Sequence, residues 1–192
     1  MIVKNVSFKT SIKNISAYDN TDLPEIAISG KSNVGKSSLI NFISNNSKLA
    51  YTSKKPGKTR LVNFFDFNGE FYLVDLPGYG FSRVSREERD SWHEMVEGYL
   101  KTSGQLKLIL LLLDIRHDPT EDDLQMLDWA DYYGIPCAVV ATKADKVAKS
   151  KRKNTLAHLK KLIGREGLDM AAVSAQDRLG RDEVLSIMEK YL

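Results

Sequence analysis

The chain has 192 residues, 42% hydrophobic and 28% charged, with a formal net charge of +3. That length suffices for one α/β domain with a sizeable core, and the ordinary composition excludes a disordered or low-complexity chain. Its one cysteine, Cys137, excludes an intramolecular disulfide, and the most apolar run, Leu108 to Leu113, is far too short to span a membrane.

Taken in order, residues 1–22 read as an N-terminal extension whose alternating Val3, Val6 and Phe8 can supply an edge strand; residues 23–192 read as the domain proper. Met1 to Lys9 is too polar for a signal-peptide core, and position 2 is not the glycine that myristoylation needs. A cytoplasmic protein with no membrane contact is therefore expected. Ile26-Ala27-Ile28 predicts a buried strand over 25–29, followed by a helix from Lys36 to Asn45. A polar, basic loop then leads to two β-rich runs, Val62 to Phe67 and Phe71 to Asp75, around Asn68-Gly69, the strongest short-range hairpin signal.

After the Gly/Pro loop Leu76 to Phe81, Trp92, Met95, Val96 and Tyr99 recur at helical spacing over about Arg86 to Lys101. Leu106 to Asp114 is the near-continuous apolar strand of a sheet covered on both faces. Asp118-Pro119-Thr120-Glu121 predicts a helix start with Asp118 as cap and Glu121 completing a capping box; that helix stops at Gly134. A strand over Pro136 to Thr142, a basic helix from Lys149 to Ile163, a short strand over Met170 to Ser174 and a helix from Asp182 to Tyr191 complete the chain. This alternation predicts a three-layer α/β fold: a mostly parallel six-stranded sheet with one antiparallel strand and helices on both faces.

The most specific signal is Gly30-Lys31-Ser32-Asn33-Val34-Gly35-Lys36-Ser37-Ser38, which contains the spacing GxxxxGK(S/T) between a strand and a helix. Glycines let the chain wrap so that backbone N–H groups point at phosphate oxygens, and the helix N-terminus adds partial positive charge. Lys36 can reach the β- and γ-phosphates, and the Ser37 hydroxyl can ligate Mg²⁺. A random chain of this length would show the spacing on the order of once in a hundred sequences.

Four weaker signals fall where an α/β sheet binds ligands, at or near the carboxyl ends of its strands. In Asp75-Leu76-Pro77-Gly78 the carboxylate can hold Mg²⁺ through water, and the Gly78 N–H can meet the γ-phosphate. In the loop Gly57-Lys58-Thr59-Arg60 the Thr59 hydroxyl can join the Mg²⁺ shell when a γ-phosphate is present. Lys36, Thr59 and Gly78 are thus the expected catalytic groups. In Thr142-Lys143-Ala144-Asp145 the carboxylate can accept two hydrogen bonds from guanine N1–H and its 2-amino group, while the Lys143 stem lies along base and ribose. Adenine offers neither donor, and unsatisfied buried partners cost about 1–3 kcal/mol each. Val173-Ser174-Ala175 can place a backbone N–H on guanine O6. Together they predict a GTP/GDP site.

The motif order GKSNVGKS, PGKT, DLPG, TKAD, SA resembles the translation-factor-related branch of the Ras-like P-loop GTPases, which includes TrmE, Era, EngA, EngB and the septins. Thr52 to Phe65, Asp75 to Phe81 and Asp114 to Thr120 resemble the EngB (YihA/YsxC) family in particular, over roughly residues 20–190. The resemblance implies a bacterial GTPase that assists assembly of the large (50S) ribosomal subunit, contacts its rRNA and proteins, and is linked to cell division and septation. The alternative is a GTPase that recruits a protein partner at the septum without ribosome binding. A nucleoside kinase is disfavoured by the guanine-reading loop and the lack of an acceptor lid. Nothing in the sequence calls for more than a monomer.

Three positions qualify the resemblance. Tyr79 stands where Ras-like proteins carry a water-orienting glutamine, which predicts slow intrinsic hydrolysis. Thr142 replaces the more usual Asn, which predicts a weaker tie between base loop and phosphate loop. Asn33 occupies the position of an Asn ligand in potassium-activated relatives, and alternatively suits a tight turn. Among the remaining residues, His93, His117 and His158 lack zinc spacing, and Trp92 and Trp129 read as core. Basic clusters at 48–60 and 143–165 read either as solvated faces or as polyanion contacts, and Arg60 is expected on an RNA phosphate rather than as an arginine finger.

Overall fold

A computed structural model of the chain describes residues 1–19, 21–50, 61–80 and 86–192. Seven strands form one sheet: β1 (Val6–Ile12), β2 (Glu25–Gly30), β3 (Val62–Phe67), β4 (Phe71–Asp75), β5 (Leu106–Asp114), β6 (Cys137–Thr142) and β7 (Asp169–Ala172), in the order β1-β3-β4-β2-β5-β6-β7. Only β3 runs against its neighbours, β1 on one side and β4 on the other; all other pairings are parallel. The count exceeds the expected six because β1 extends the sheet beyond the hairpin, pairing Val6 with Phe67 and Ile12 with Val62.

Among the described residues the α-helices are α1 (Lys36–Ile43), α2 (Arg86–Thr102), α3 (Glu121–Tyr132), α4 (Lys149–Ile163) and α5 (Arg181–Tyr191). Leu39, Ile40 and Ile43 of α1 and Val184, Leu185 and Met188 of α5 share one core layer with Ile26, Ile28, Leu110 and Val140. On the opposite face, Ala27, Ile109, Leu111 and Val139 meet Val96 and Tyr99 of α2, Met126 and Leu127 of α3, and Ile163 of α4. Alternate residues of one strand thus enter different layers, which is why β2 and most of β5 are buried throughout rather than alternating. The hairpin turn follows from its residue types: Asn68 and Gly69 take φ of 62° and 68°, and the Glu70 N–H donates to the Phe67 carbonyl at 3.0 Å.

Several boundaries shift by a residue or two, with β7 spanning Asp169–Ala172 rather than the expected Met170 to Ser174, and two shifts have a clear cause. Helix α1 ends at Ile43, because Asn45 turns into the left-handed region at φ 52°. Helix α3 is capped by Thr120 rather than Asp118: the Asp123 carboxylate accepts from both the N–H (2.8 Å) and the hydroxyl (2.7 Å) of Thr120. The expected cap, Asp118, is displaced because the buried Asp123 carboxylate, three residues after Thr120, closes the capping box there instead.

The segment before β2 is built into the same core. Tyr18 stacks on Phe64 and donates to Glu25, which is fully buried at the start of β2. Thr21, Tyr99 and Ser103 supply three more hydroxyl donors to that carboxylate, at 2.6, 2.6 and 2.8 Å.

Candidate functional site

Parallel pairing brings the carboxyl ends of β2, β4, β5, β6 and β7 to one edge of the sheet. The register aligns Ile28 with Asp75, Gly30 with Leu112, Asp114 with Thr142 and Ala141 with Ala172. Every described residue expected in the site follows one of these strand ends.

Gly30 leaves β2 so close to β5 that a Cβ would lie 2.8 Å from the Leu112 carbonyl oxygen; no other residue fits there. The loop then tightens through Asn33 at φ 62° and a bond from the Val34 N–H to the Lys31 carbonyl (3.1 Å). Gly35 starts α1 at φ 120°, and Lys36, Ser37 and Ser38 form its first turn. The tight turn accounts for asparagine at position 33, since Asn tolerates the left-handed region.

The Asp75-to-Gly78 segment presses on this loop. A Cβ on Gly78 would lie 2.8 Å from Lys36 Nζ and 3.2 Å from Ser32 Cα, and the Ser32 N–H donates to the Tyr79 carbonyl at 2.8 Å. Burial lowers the Lys36 ammonium from its ordinary value, with Asp75 opposing. Burial likewise pushes the Asp75 carboxyl up, against the pull of Lys36 and the Asn63 amide on the neighbouring strand. Asp75 Oδ1 is buried without a hydrogen-bond partner. A buried carboxylate oxygen lacking a partner is costly alone and suits a hydrated cation. Asp75 and the Ser37 hydroxyl thus fit the expected Mg²⁺, whose remaining ligands would be phosphate oxygens and water.

The base loop is tied to the phosphate loop through Thr142 and Lys143. The Thr142 hydroxyl, fully buried, lies 2.7 Å from the Val34 carbonyl and 3.1 Å from that of Leu113. A hydroxyl at the end of β6, where β5 and β6 are in register, thus reaches the phosphate loop directly. Lys143, in the left-handed conformation, reaches the Asn33 carbonyl at 2.9 Å. Ala144 donates to the Val173 carbonyl (3.0 Å), and Asp145 accepts from the Ser174 hydroxyl at 2.9 Å with Lys146 Nζ 3.1 Å from its other oxygen. Desolvation raises the Asp145 carboxyl, but Lys146 and Ser174 outweigh it and hold it below its ordinary value. An ionised acceptor pair of this kind is what guanine requires. Ala175 follows Ser174 on the exposed side of the same turn.

Sequence reasoning missed three partners. Asp114 ends β5 and holds Lys143 Nζ at 3.0 Å while Arg116 grips it through two nitrogens at 2.9 and 2.7 Å. Burial raises Asp114, yet Arg116 and Lys143 keep it well below the usual carboxylate range. Tyr79 is buried and donates its hydroxyl to Asp123; burial, then that carboxylate, pushes the phenol well up. Trp92 donates from Nε1 to the Pro77 carbonyl at 2.7 Å and stacks on Trp129, so both tryptophans support the loop from α2 and α3. A polar residue at the end of an apolar strand was the only sequence signal for Asp114. The expected contacts of Gly57, Lys58, Thr59 and Arg60 lie outside the described residues.

Residues 25–143 match the family described as 50S ribosome-binding GTPases. Along its whole length the chain is 47% identical to the probable GTP-binding protein EngB of Pelotomaculum thermopropionicum, covering 98% of that protein. It is 46% identical to the EngB of Thermoanaerobacter pseudethanolicus, with each chain fully covered. The chain belongs to the EngB family of GTP-binding proteins.

A solved structure of a probable EngB has the same fold, with a TM-score of 0.71 at 19% identity, covering 87% of this chain and 97% of that one. Era bound to MgGDPNP and a 16S ribosomal RNA segment superposes with a TM-score of 0.67 at 25% identity, over 88% of this chain and 57% of that one. EngB membership makes the P-loop a GTPase P-loop. Among the described residues, no helix is long and apolar enough to cross a membrane.

Proposed function

We propose that this EngB-family chain is a cytoplasmic, monomeric GTP switch that binds the large ribosomal subunit during its assembly and hydrolyses GTP slowly. The observation that carries the guanine part is the fourfold fastening of the base loop: Thr142 to Val34, Lys143 to Asn33, Ala144 to Val173 and Asp145 to Ser174. It sets base and phosphate recognition at one distance, so both ends of a nucleotide are read together. The ribosomal part is supported by the description of the matching family and by the rRNA in the Era structure.

In this reading the P-loop N–H groups and Lys36 bind the β- and γ-phosphates, and Ser37 and Asp75 hold Mg²⁺, which neutralises phosphate charge. Gly78, packed against Lys36 and Ser32, would present its N–H to the γ-phosphate when GTP is bound. Slow turnover follows from Tyr79: its hydroxyl is committed to Asp123 and presents nothing to an attacking water. Catalysis then rests on positioning and charge.

Co-sedimentation with purified large subunits tests the proposal. Binding with a GTP analogue that weakens steeply with salt is the expected result. No binding with any nucleotide would overturn it and favour the septal protein partner instead. Hydrolysis measured in KCl and NaCl separates the two roles of Asn33: equal rates leave it to the turn, and potassium stimulation would place an ion beside it.

A further inference from the structure

Helix α4 carries positive charge where a helix tolerates it least. Its fifteen residues include Lys149, Lys151, Arg152, Lys153, Lys160 and Lys161 and no Asp or Glu. Its first turn therefore sets cations on the positive end of the macrodipole, a position favouring acids. The same chain obeys the rule elsewhere, with Glu121, Asp122 and Asp123 opening α3 and Asp182 and Glu183 opening α5. Arg152 is matched by Asp177 at 3.7 Å. The five lysines are exposed, and among the described residues none forms an ion pair. Without α4 the rest of the chain has more acidic than basic residues, so α4 and the basic segment 48–60 together carry the positive excess of the chain.

At 100° per residue, Lys149, Lys153 and Lys160 fall within about 40° of one another along a stripe about 16 Å long. It borders the β7 edge, where the Asp169 carboxyl is lowered first by its bond from Lys190 and last by the charge of Lys160. Leu159 and Ile163 anchor the helix along the flank that adjoins the stripe. No aromatic residue lies on α4, and Leu162 is its one exposed large apolar side chain, which leaves neither a base-stacking platform nor a membrane-inserting face. Lysines are point charges suited to phosphates rather than base edges.

We infer that this stripe is a docking surface for the phosphodiester backbone of folded RNA, engaged whichever guanine nucleotide is bound. The inference rests on the reading that the chain works on an RNA-containing particle. The full-length protein is tested with GDP and with a GTP analogue on two probes: a 20-base-pair RNA duplex and purified large ribosomal subunits. The variant is K149Q/K153Q/K160Q, and K4Q/K9Q/K13Q around β1 is the control of equal charge change.

The stripe variant is expected to lose about tenfold in duplex affinity and about two units in the slope of log K against log salt, with GDP binding unchanged. The control is expected to stay within about twofold on the same scale. An unchanged slope, or equal loss in both variants, overturns the inference. So does displacement of RNA by polyglutamate of matched charge, which would make the partner an acidic protein. If the wild type binds the duplex through α4 but not the subunits, the stripe stands and the ribosomal reading falls. If both proteins bind subunits with one salt slope, the stripe falls and the ribosomal reading stands.

Discussion

The Tyr79 hydroxyl is spent on the buried Asp123, while the Tyr79 carbonyl joins the phosphate loop through the Ser32 N–H. One residue thus serves the site with its backbone and the core with its side chain. Asp123 in turn caps α3 through Thr120, so the loop after Asp75 and the start of α3 share a buried carboxylate.

Tyr79→Phe should leave the GTP hydrolysis rate within about twofold while costing about 1–3 kcal/mol of stability, because a buried carboxylate loses one of its donors. Denaturant unfolding and single-turnover hydrolysis read the two effects separately. A tenfold loss of rate in a stable variant would instead make the hydroxyl a catalytic group.

Thr142→Val keeps the volume and removes the hydroxyl that reaches Val34. The net worth of such a bond, about 0.5–1.5 kcal/mol, predicts about threefold to tenfold weaker GDP binding. Stopped-flow release of a fluorescent GDP should show the change in the off-rate. No change would mean that the tie does not position the loop.

Asp145→Asn replaces two acceptors by one acceptor and one donor. Binding of guanine nucleotides should fall by about a hundredfold or more, and xanthine nucleotides, whose O2 accepts where guanine donates, should bind better than to the wild type. Equal losses for both bases would mean that Asp145 is not the base reader.

At high pH the fold should weaken in a defined window. The Cys137 thiol is pushed from 9.0 to about 12, chiefly by burial. Tyr18 is pushed from 10.0 to about 12, again chiefly by burial, with Glu25 contributing. Both folded values exceed the unfolded ones, so the native state holds these protons more tightly. The associated stability is complete below pH 9 and is lost as pH rises towards 12. Denaturant midpoints from pH 8 to 11 test this, and because the part-exposed Cys137 holds its thiol protonated, alkylation at pH 8 should run well below the rate of a free thiol. Rapid labelling of the native protein would contradict the burial argument.

Tyr99→Phe removes one of four hydroxyls from the buried Glu25, at the end of β2 opposite the site. A loss of about 1–3 kcal/mol in stability with unaltered GDP affinity is expected. Weaker nucleotide binding would show that strain at this end reaches the phosphate loop.

Much of this was legible in the chain itself. Glycines at positions 30 and 78 stand where backbones crowd, Gly35 turns at φ 120°, the Asn-Gly pair made its turn, and the apolar continuity of β5 foretold a sheet covered on both faces. These are local constraints, set by residue type and near spacing, and the guanine motifs carried their own order. Which donors meet which acceptors across the sheet was a different matter. Asp114 became the clamp on Lys143, Thr142 the tie to Val34, and Tyr79 a core residue only when parallel register brought separate strand ends together. A side chain's hydrogen-bond partner depends on distances over which sequence spacing carries no information. The family was therefore readable from the motifs, whereas the roles of Tyr79 and Thr142 belonged to the tertiary structure.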